Sequence, residues 1–199
     1  VPGVGGLVLS TSGTARLLNE AINTTPASEL WLKNKNKLLA MGMNADTVEL
    51  FLNNPSFSPA QTTILVTSLE SMVETDNRKL FIKVALQAGD NIMAKTITQI
   101  AIMSAAYHKE IGTLKSFTPM ARITQGIRED NSRVVVLPVD YLIWDKRVAE
   151  AATAVSNEAK GNDIELWVLG SVSKHATTEL HKLGWKVHTN AVSRLIPAR

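Results

Sequence analysis

"LWVLGSVSKHATTELHKLGWKVHTN", residues 166–190, decides the fold that this sequence predicts. The apolar run at residues 166–169 indicates a buried strand, and Gly170 with Ser171 indicates a turn. A helical pattern follows as far as Gly184, which is suited to end a helix, and Trp185 opens a second extended run. A strand, a helix and a strand joined by short links predict a parallel unit with a right-handed crossover.

The residues before this stretch extend the predicted sheet. Residues 121–127 (ARITQGI) and 132–139 (SRVVVLPV) are separated by the polar turn REDN, which is the spacing of a hairpin. Residues 145–160 predict a helix, and the runs VVVLPV and LWVLG are apolar on both faces, as in strands covered on both sides. We therefore predict a small α/β domain over residues 117–199. It has ββαβαβ order and a mostly parallel sheet of three to four strands, with ARITQGI as the edge strand of an antiparallel hairpin.

Residues 1–116 predict a helical region, a bundle packed against this sheet, so that the chain as a whole is α+β. Apolar residues recur three and four apart in residues 12–23, 28–42, 44–54, 58–73 and 76–88, and in a long helix that opens at Asp90. Ser58, Pro59 and Gln61 give the strongest start signal, a capping box with proline at the first helical position. The predicted core stripe of the long helix is Ile92, Thr96, Ile100, Met103, Tyr107 and Ile111.

Composition excludes several classes of function. Hydrophobic residues make up 45% of the 199 residues and the net charge is +3, without the basic clusters of a nucleic-acid-binding protein, so no nucleic-acid partner is expected. No window approaches about 18 consecutive apolar residues, and we expect no transmembrane segment.

The chain has no cysteine, which removes thiolate catalysis and cysteine-based metal sites. His175 and His181 are six residues apart on one predicted helix and are badly placed to share a metal. We expect no metal, no cofactor and solvent-facing histidines.

Polar residues follow the predicted parallel strands. In open α/β sheets ligands usually bind at the carboxyl ends of the strands, where these residues would meet. The candidate ligand-binding residues at this edge are Asp140, Ser171, Ser173, Lys174 and Asn190. The alternative is that Asp140 and the serines only cap helices, which those residue types do without any ligand.

Two sharper motifs fit the Gly-Ser-Val-Ser-Lys turn only in part. A helix start with two hydroxyls and Lys174 could hold a phosphate, but the turn lacks the second glycine and the Gly-Lys-Ser/Thr ending of a P-loop. Ser171 and Lys174 match Ser-x-x-Lys, yet the Ser-Asp-Asn and Lys-Thr-Gly tripeptides that accompany it are absent. No residue is therefore predicted to be catalytic.

The sequence favours a non-catalytic structural or protein-interaction module, a component of a larger assembly or a fragment of a longer chain. The partner would be another protein or a second copy, bound through an exposed apolar patch with Trp or Met. The alternative is a small enzyme or a ligand- or phosphate-binding domain that uses the carboxyl edge of the sheet, and it requires a pocket there. The start at Val1 and the absent cysteine favour a bacterial periplasmic or exported protein of the cell envelope, and the compartment is otherwise open.

Overall fold

The computed structural model describes Ile22 and residues 24–195, and it combines helices and strands, as predicted for the fold class. The helices are α1 Ala27–Ala40, α2 Ala45–Leu52, α3 Pro59–Glu70, α4 Lys79–Ala85, α5 Asn91–Glu110, α6 Lys146–Ala159, α7 Lys174–Lys182 and α8 Val192–Leu195. The strands are β1 Leu114–Met120, β2 Ile123–Arg128, β3 Arg133–Leu137, β4 Tyr141–Leu142, β5 Ile164–Val168, β6 Ser171–Val172 and β7 Trp185–His188. Within the described residues, no helix combines the length and the apolar character needed to cross a bilayer.

The helices α2, α3 and α5 begin at polar residues that the sequence indicates. Asn44 accepts hydrogen bonds from the amides of Asp46 and Thr47 at the start of α2. At α3 the complete capping box of Ser58 and Gln61 is present. Asp90 accepts from the Met93 amide at 2.7 Å and opens α5. The predicted helix over residues 12–23 lies outside the described residues, apart from Ile22.

Five strands form the main sheet in the order β1-β2-β3-β5-β7, and β4 and β6 form a separate two-stranded parallel ribbon. β3, β5 and β7 pair in parallel, which is the unit that residues 166–190 predict. β1, β2 and β3 pair antiparallel. The expectation of a mostly parallel sheet of three to four strands is therefore wrong, because half of the four strand pairings are antiparallel.

The strand β1 is the longest of the elements that the sequence pattern misses; the others are the short strands β4 and β6 and the helix α8. Pro119 argues against a strand because proline cannot donate to the ladder, but an edge strand tolerates it, and β1 lies at the edge. β2, which was expected at the edge, is consequently an interior strand. The predicted boundary between residues 116 and 117 falls inside β1. The division into a helical region over residues 1–116 and an α/β domain over residues 117–199 stays a prediction.

Helices cover both faces of the sheet. On one face, Val134, Val136 and Trp167 join the core of the amino-terminal helices. On the other face, residues 135, 164, 166 and 168 pack with buried residues of α6 and α7. The alternation of side chains along β3 and β5 divides them between these two cores.

The core stripe predicted for α5 fails at its two ends. Ile100, Met103 and Tyr107 are buried as expected, but Ile92 is 79% exposed and Ile111 is 37% exposed. Ile92 lies in the first turn of α5, and Ile111 follows Glu110, the last residue of the helix. Ile92 is thus a large apolar side chain in water at the first turn of α5.

Candidate functional site

The three segments predicted to converge at the carboxyl edge of the sheet do meet there. We call this the strand-end edge: residues 137–142, 168–173 and 190–191. Main-chain hydrogen bonds join its segments, from the amides of residues 169, 170, 171 and 173 to the carbonyls of residues 137, 139, 140 and 142, at 2.9–3.1 Å. The amides of residues 190 and 191 donate to the carbonyls of residues 170 and 168 at 2.7 and 3.0 Å. Main-chain hydrogen bonds thus hold the three segments of the strand-end edge together.

The predicted ligand-binding side chains have mostly structural or solvent-exposed positions. Ser173 Oγ accepts from the Ala176 amide at 3.1 Å and caps α7, which is the alternative foreseen for it. Lys174 and Asp140 are exposed, as is Ser171. Asn190 has φ of 51°, a left-handed conformation that asparagine tolerates at a turn. Ligand binding by these five residues stays a prediction.

The close approach of another chain segment explains why residue 170, two positions after the strand β5, is a glycine. A Cβ built on it would lie 1.9 Å from the carbonyl oxygen of Asp140 and 2.5 Å from the Asp140 carbonyl carbon. Both of these atoms belong to backbone and cannot move aside as a side chain would. The glycine of the Gly-Ser turn therefore permits two chain segments to touch, which is an architectural reason for it.

Exposed apolar side chains flank the strand-end edge. Tyr141 is 59% exposed and Ile143 is 55% exposed, while Leu142 between them is buried. Tyr141 pairs with Ser171 in the β4–β6 ribbon. The ribbon thus presents apolar surface beside the polar residues that the sequence analysis selected.

An open cleft of about 570 Å³ lies in the helical half, at the connection between α4 and α5. We call it the α4–α5 cleft; it is lined by Gln87, Gly89, Asp90, Ile92, Met93, Thr96 and Arg122. Arg122 belongs to the turn between β1 and β2. Sequence reasoning missed this cleft because Ile92 fits the apolar stripe of α5 and was assigned to the core.

The α4–α5 cleft and the strand-end edge lie at the same end of the sheet. β2 runs antiparallel to β3, with Gly126 opposite Val134, so β2 starts where β3 finishes. Arg122 directly precedes β2. This end of the molecule therefore combines the cleft with the exposed Tyr141 and Ile143.

A second feature that the sequence analysis missed is a polar cluster around Glu165 of β5, here called the Glu165 cluster. Its members are Glu165, Tyr107, Arg128, Trp167, His188 and Arg194. Glu165 Oε2 accepts from the Trp167 indole Nε1–H at 2.8 Å and from the Tyr107 hydroxyl at 3.4 Å. Arg128 Nη1 lies 3.5 Å from Glu165 Oε1, and only 16% of the Glu165 side chain is exposed.

His188 connects Glu165 to the helix α8. Its Nε2 lies 3.6 Å from Glu165 Oε2, and its ring stacks on Trp167 with centroids 4.2 Å apart. Arg194 Nη1 is 3.0 Å from His188 Nδ1 and its guanidinium lies 4.5 Å from the centre of the Trp167 ring. Arginine can only donate, so Nδ1 must be the accepting nitrogen and Nε2 carries the proton in the neutral ring.

Burial shifts the proton equilibria of this cluster. It lowers the pKa of His188; Arg194 and Lys186 also lower it, and Glu165 opposes them. Burial also raises the pKa of Tyr107 to about 12, and Glu165 adds to that rise. The expectation of solvent-facing histidines is wrong for His188 and for His108, whose Nδ1 accepts from the Leu114 amide at 3.0 Å. Glu165 pairs with Lys186 and Trp167 pairs with His188 in the β5–β7 ladder, so the cluster becomes visible only once these two strands are paired.

Within the part of the chain that the structure describes, no three His, Asp or Glu side chains are grouped so as to hold a metal ion. Comparison of the chain with protein-family models, with curated proteins and with solved structures found no match. The geometry above is therefore the basis for any functional assignment.

Proposed function

We propose that this chain is a non-catalytic interaction module that binds another protein or a second copy of itself. The observation that carries the proposal is the exposure of Ile92, at 79%, inside the concave α4–α5 cleft. Single apolar residues on a convex surface are common and need no explanation. Ile92 differs because Met93 adjoins it and the cleft gives an incoming side chain more than one wall to contact.

The chemistry of the cleft suits a protein segment with an aliphatic anchor residue. Ile92 and Met93 supply apolar contact, and a flexible methionine adapts to partners of different shape. Arg122 and Asp90 at the rim can meet charged or main-chain polar groups of a partner. An apolar centre with a polar rim is the common arrangement of protein interfaces.

The alternative, a small enzyme or a phosphate-binding domain at the strand-end edge, has less support. Ser173 Oγ is occupied as a helix cap, and the amides of residues 169–171 already donate to backbone carbonyls. Those amides are the groups that a phosphate cradle would need free. The exposed Lys174 and Ser171 are the remaining argument in its favour.

Self-association tests the proposal directly. We expect sedimentation equilibrium of the full chain to show a reversible dimer, and Ile92→Ser to raise its Kd at least about tenfold, since burying an isoleucine stabilises by about 1.5–3 kcal/mol. Serine suits the first turn of a helix, so α5 should persist. Val73→Ser is the matched control, because Val73 is 70% exposed and does not line the cleft.

A different partner is tested with a displayed library of random peptides. We expect wild-type protein to enrich peptides with an aliphatic residue, and we expect Ile92→Ser to lose them while Val73→Ser retains them. A chain that stays monomeric and enriches no peptide would contradict the proposal. Association that is equally strong in Ile92→Ser would place the interface elsewhere and would also contradict it.

A further inference from the structure

We propose that His188 is a pH-sensitive latch that holds the helix α8 on the sheet and releases it when the ring is protonated. The proposal rests on the Glu165 cluster and is independent of the α4–α5 cleft. Its central contact is the hydrogen bond from Arg194 Nη1 to His188 Nδ1, at 3.0 Å.

The latch follows from the inventory of donors and acceptors. Neutral His188 has one accepting nitrogen, and Arg194 uses it. A protonated ring has a hydrogen on both nitrogens, so Nδ1–H would oppose the N–H of the guanidinium. Two donors and two positive charges would then face each other at hydrogen-bonding distance. Arg194 therefore has to leave when His188 gains a proton.

The charged groups around His188 come from four elements. Glu165 of β5 faces Nε2, at 3.6 Å, and stabilises the protonated ring. Arg194 of α8 and Lys186 of β7 oppose it. Arg128 of β2 lies 3.5 Å from Glu165 and competes for that carboxylate, while Lys186 is paired with Asp163. Protonation thus strengthens the attachment of the ring to Glu165 and breaks its attachment to α8.

Release of Arg194 matters because the other described attachments of α8 are apolar packing and one main-chain hydrogen bond. Ala191 and Leu195 are buried in the helical core, Val192 packs against that core, and the Ala191 amide donates to the Val168 carbonyl. Among the residues that the structure describes, Arg194 also lies over the ring of Trp167, which is a second contact of an α8 side chain with the sheet. A helix of four residues does not persist in water without packing. Loss of the Arg194 contacts should loosen α8 and uncover Trp167.

Hydrogen exchange of the full chain tests the latch, with protection factors used because they correct for the intrinsic effect of pH. We expect protection of the amides of residues 191 and 195 to fall by roughly fivefold from about pH 7.5 to about pH 5, the factor for losing one net hydrogen bond. His188→Gln, which cannot titrate, should show no such fall. His175→Gln should respond as wild type does, since His175 is exposed and its ionic partner is Glu179 of its own helix, α7.

Arg194→Met provides the second test, in case His188→Gln does not fold. It removes the donor from an exposed position and leaves β7 unchanged. Protection at residues 191 and 195 should be low at both pH values and independent of pH. The latch is wrong if wild-type protection is equal at the two pH values, or if either variant keeps the wild-type fall.

Discussion

The strand-end edge and the Glu165 cluster are built on the same strands, β5 and β7, yet they are held together in opposite ways. At the strand-end edge, main-chain amides and carbonyls make the connections. Of its polar side chains, Asp140, Ser171 and Asn190 are exposed and Ser173 caps α7. In the Glu165 cluster, the Glu165 carboxylate contacts the side chains of Tyr107 in α5, Arg128 in β2 and Trp167 in β5. The first region should therefore tolerate most polar substitutions, whereas the second should depend on single side chains and on pH.

Gly170→Ala should break the strand-end edge and have the largest effect. The added Cβ would lie 1.9 Å from the Asp140 carbonyl oxygen, so one of the two segments must move. We expect the free energy of unfolding in urea to fall by at least about 3 kcal/mol. Gly89→Ala is the control, because a Cβ there has no heavy atom within 4 Å. A wild-type value for Gly170→Ala would show that the edge is not tightly closed.

Glu165→Ala should break the other region. The Trp167 indole N–H would lose its acceptor inside the protein, and an unsatisfied buried donor costs about 1–3 kcal/mol. We expect the free energy of unfolding to fall by about 2 kcal/mol, and by less in Glu165→Gln, which keeps an acceptor oxygen. Glu150→Ala on α6 is the matched control, since 66% of that side chain is exposed. Equal losses for Glu165→Ala and Glu150→Ala would contradict the central role of Glu165.

These two regions also show which parts of the fold the sequence could predict. Local signals were sufficient for the hairpin of β2 and β3, for the parallel unit of β3, β5 and β7, and for the caps at Ser58 and Asp90. They did not reveal β1, because a strand can contain Pro119 only if it lies at the edge of the sheet. That is a property of the assembled sheet.

The candidate sites show the same limit more strongly. The Gly-Ser-Val-Ser-Lys turn resembles a ligand-binding motif because its residues are adjacent in sequence. In the structure, Gly170 permits close contact with Asp140 and Ser173 caps α7. The Glu165 cluster joins residues between positions 107 and 194, so no local pattern could show it. Ile92 was misassigned because periodicity describes which face of a helix is apolar, and not how far along the helix its cover extends.

The two regions should differ in how substitutions in them change the pH dependence of the free energy of unfolding. The folded protein lowers the pKa of His188 and of His108, in both cases mainly through burial, below the ordinary value of about 6.5. The unfolded chain therefore takes up these protons first as pH falls. The resulting stability is fully present above about pH 6.5 and is lost as pH falls from there through the lower pKa values of the folded state.

Urea unfolding at a series of pH values measures this loss. We expect His188→Gln to flatten the acid limb of the stability curve, and His175→Gln to leave it unchanged. Ser173→Ala, a change at the strand-end edge, should lower the curve without altering its shape. A change of shape in Ser173→Ala as large as that in His188→Gln would contradict the distinction between the two regions.

The smallest effects are expected from the two serines of the opening motif, and they distinguish a cap from a ligand site. Ser173→Ala should cost about 1 kcal/mol of unfolding free energy, since it removes the cap of α7. Ser171→Ala should stay within about 0.5 kcal/mol of wild type, because Ser171 is exposed. Inorganic phosphate, added as a probe, should stabilise wild type and Ser171→Ala equally, through its general effect on burial. A stabilisation that wild type shows and Ser171→Ala loses would mean that the edge binds phosphate, and the interaction module would then be the weaker of the two functions.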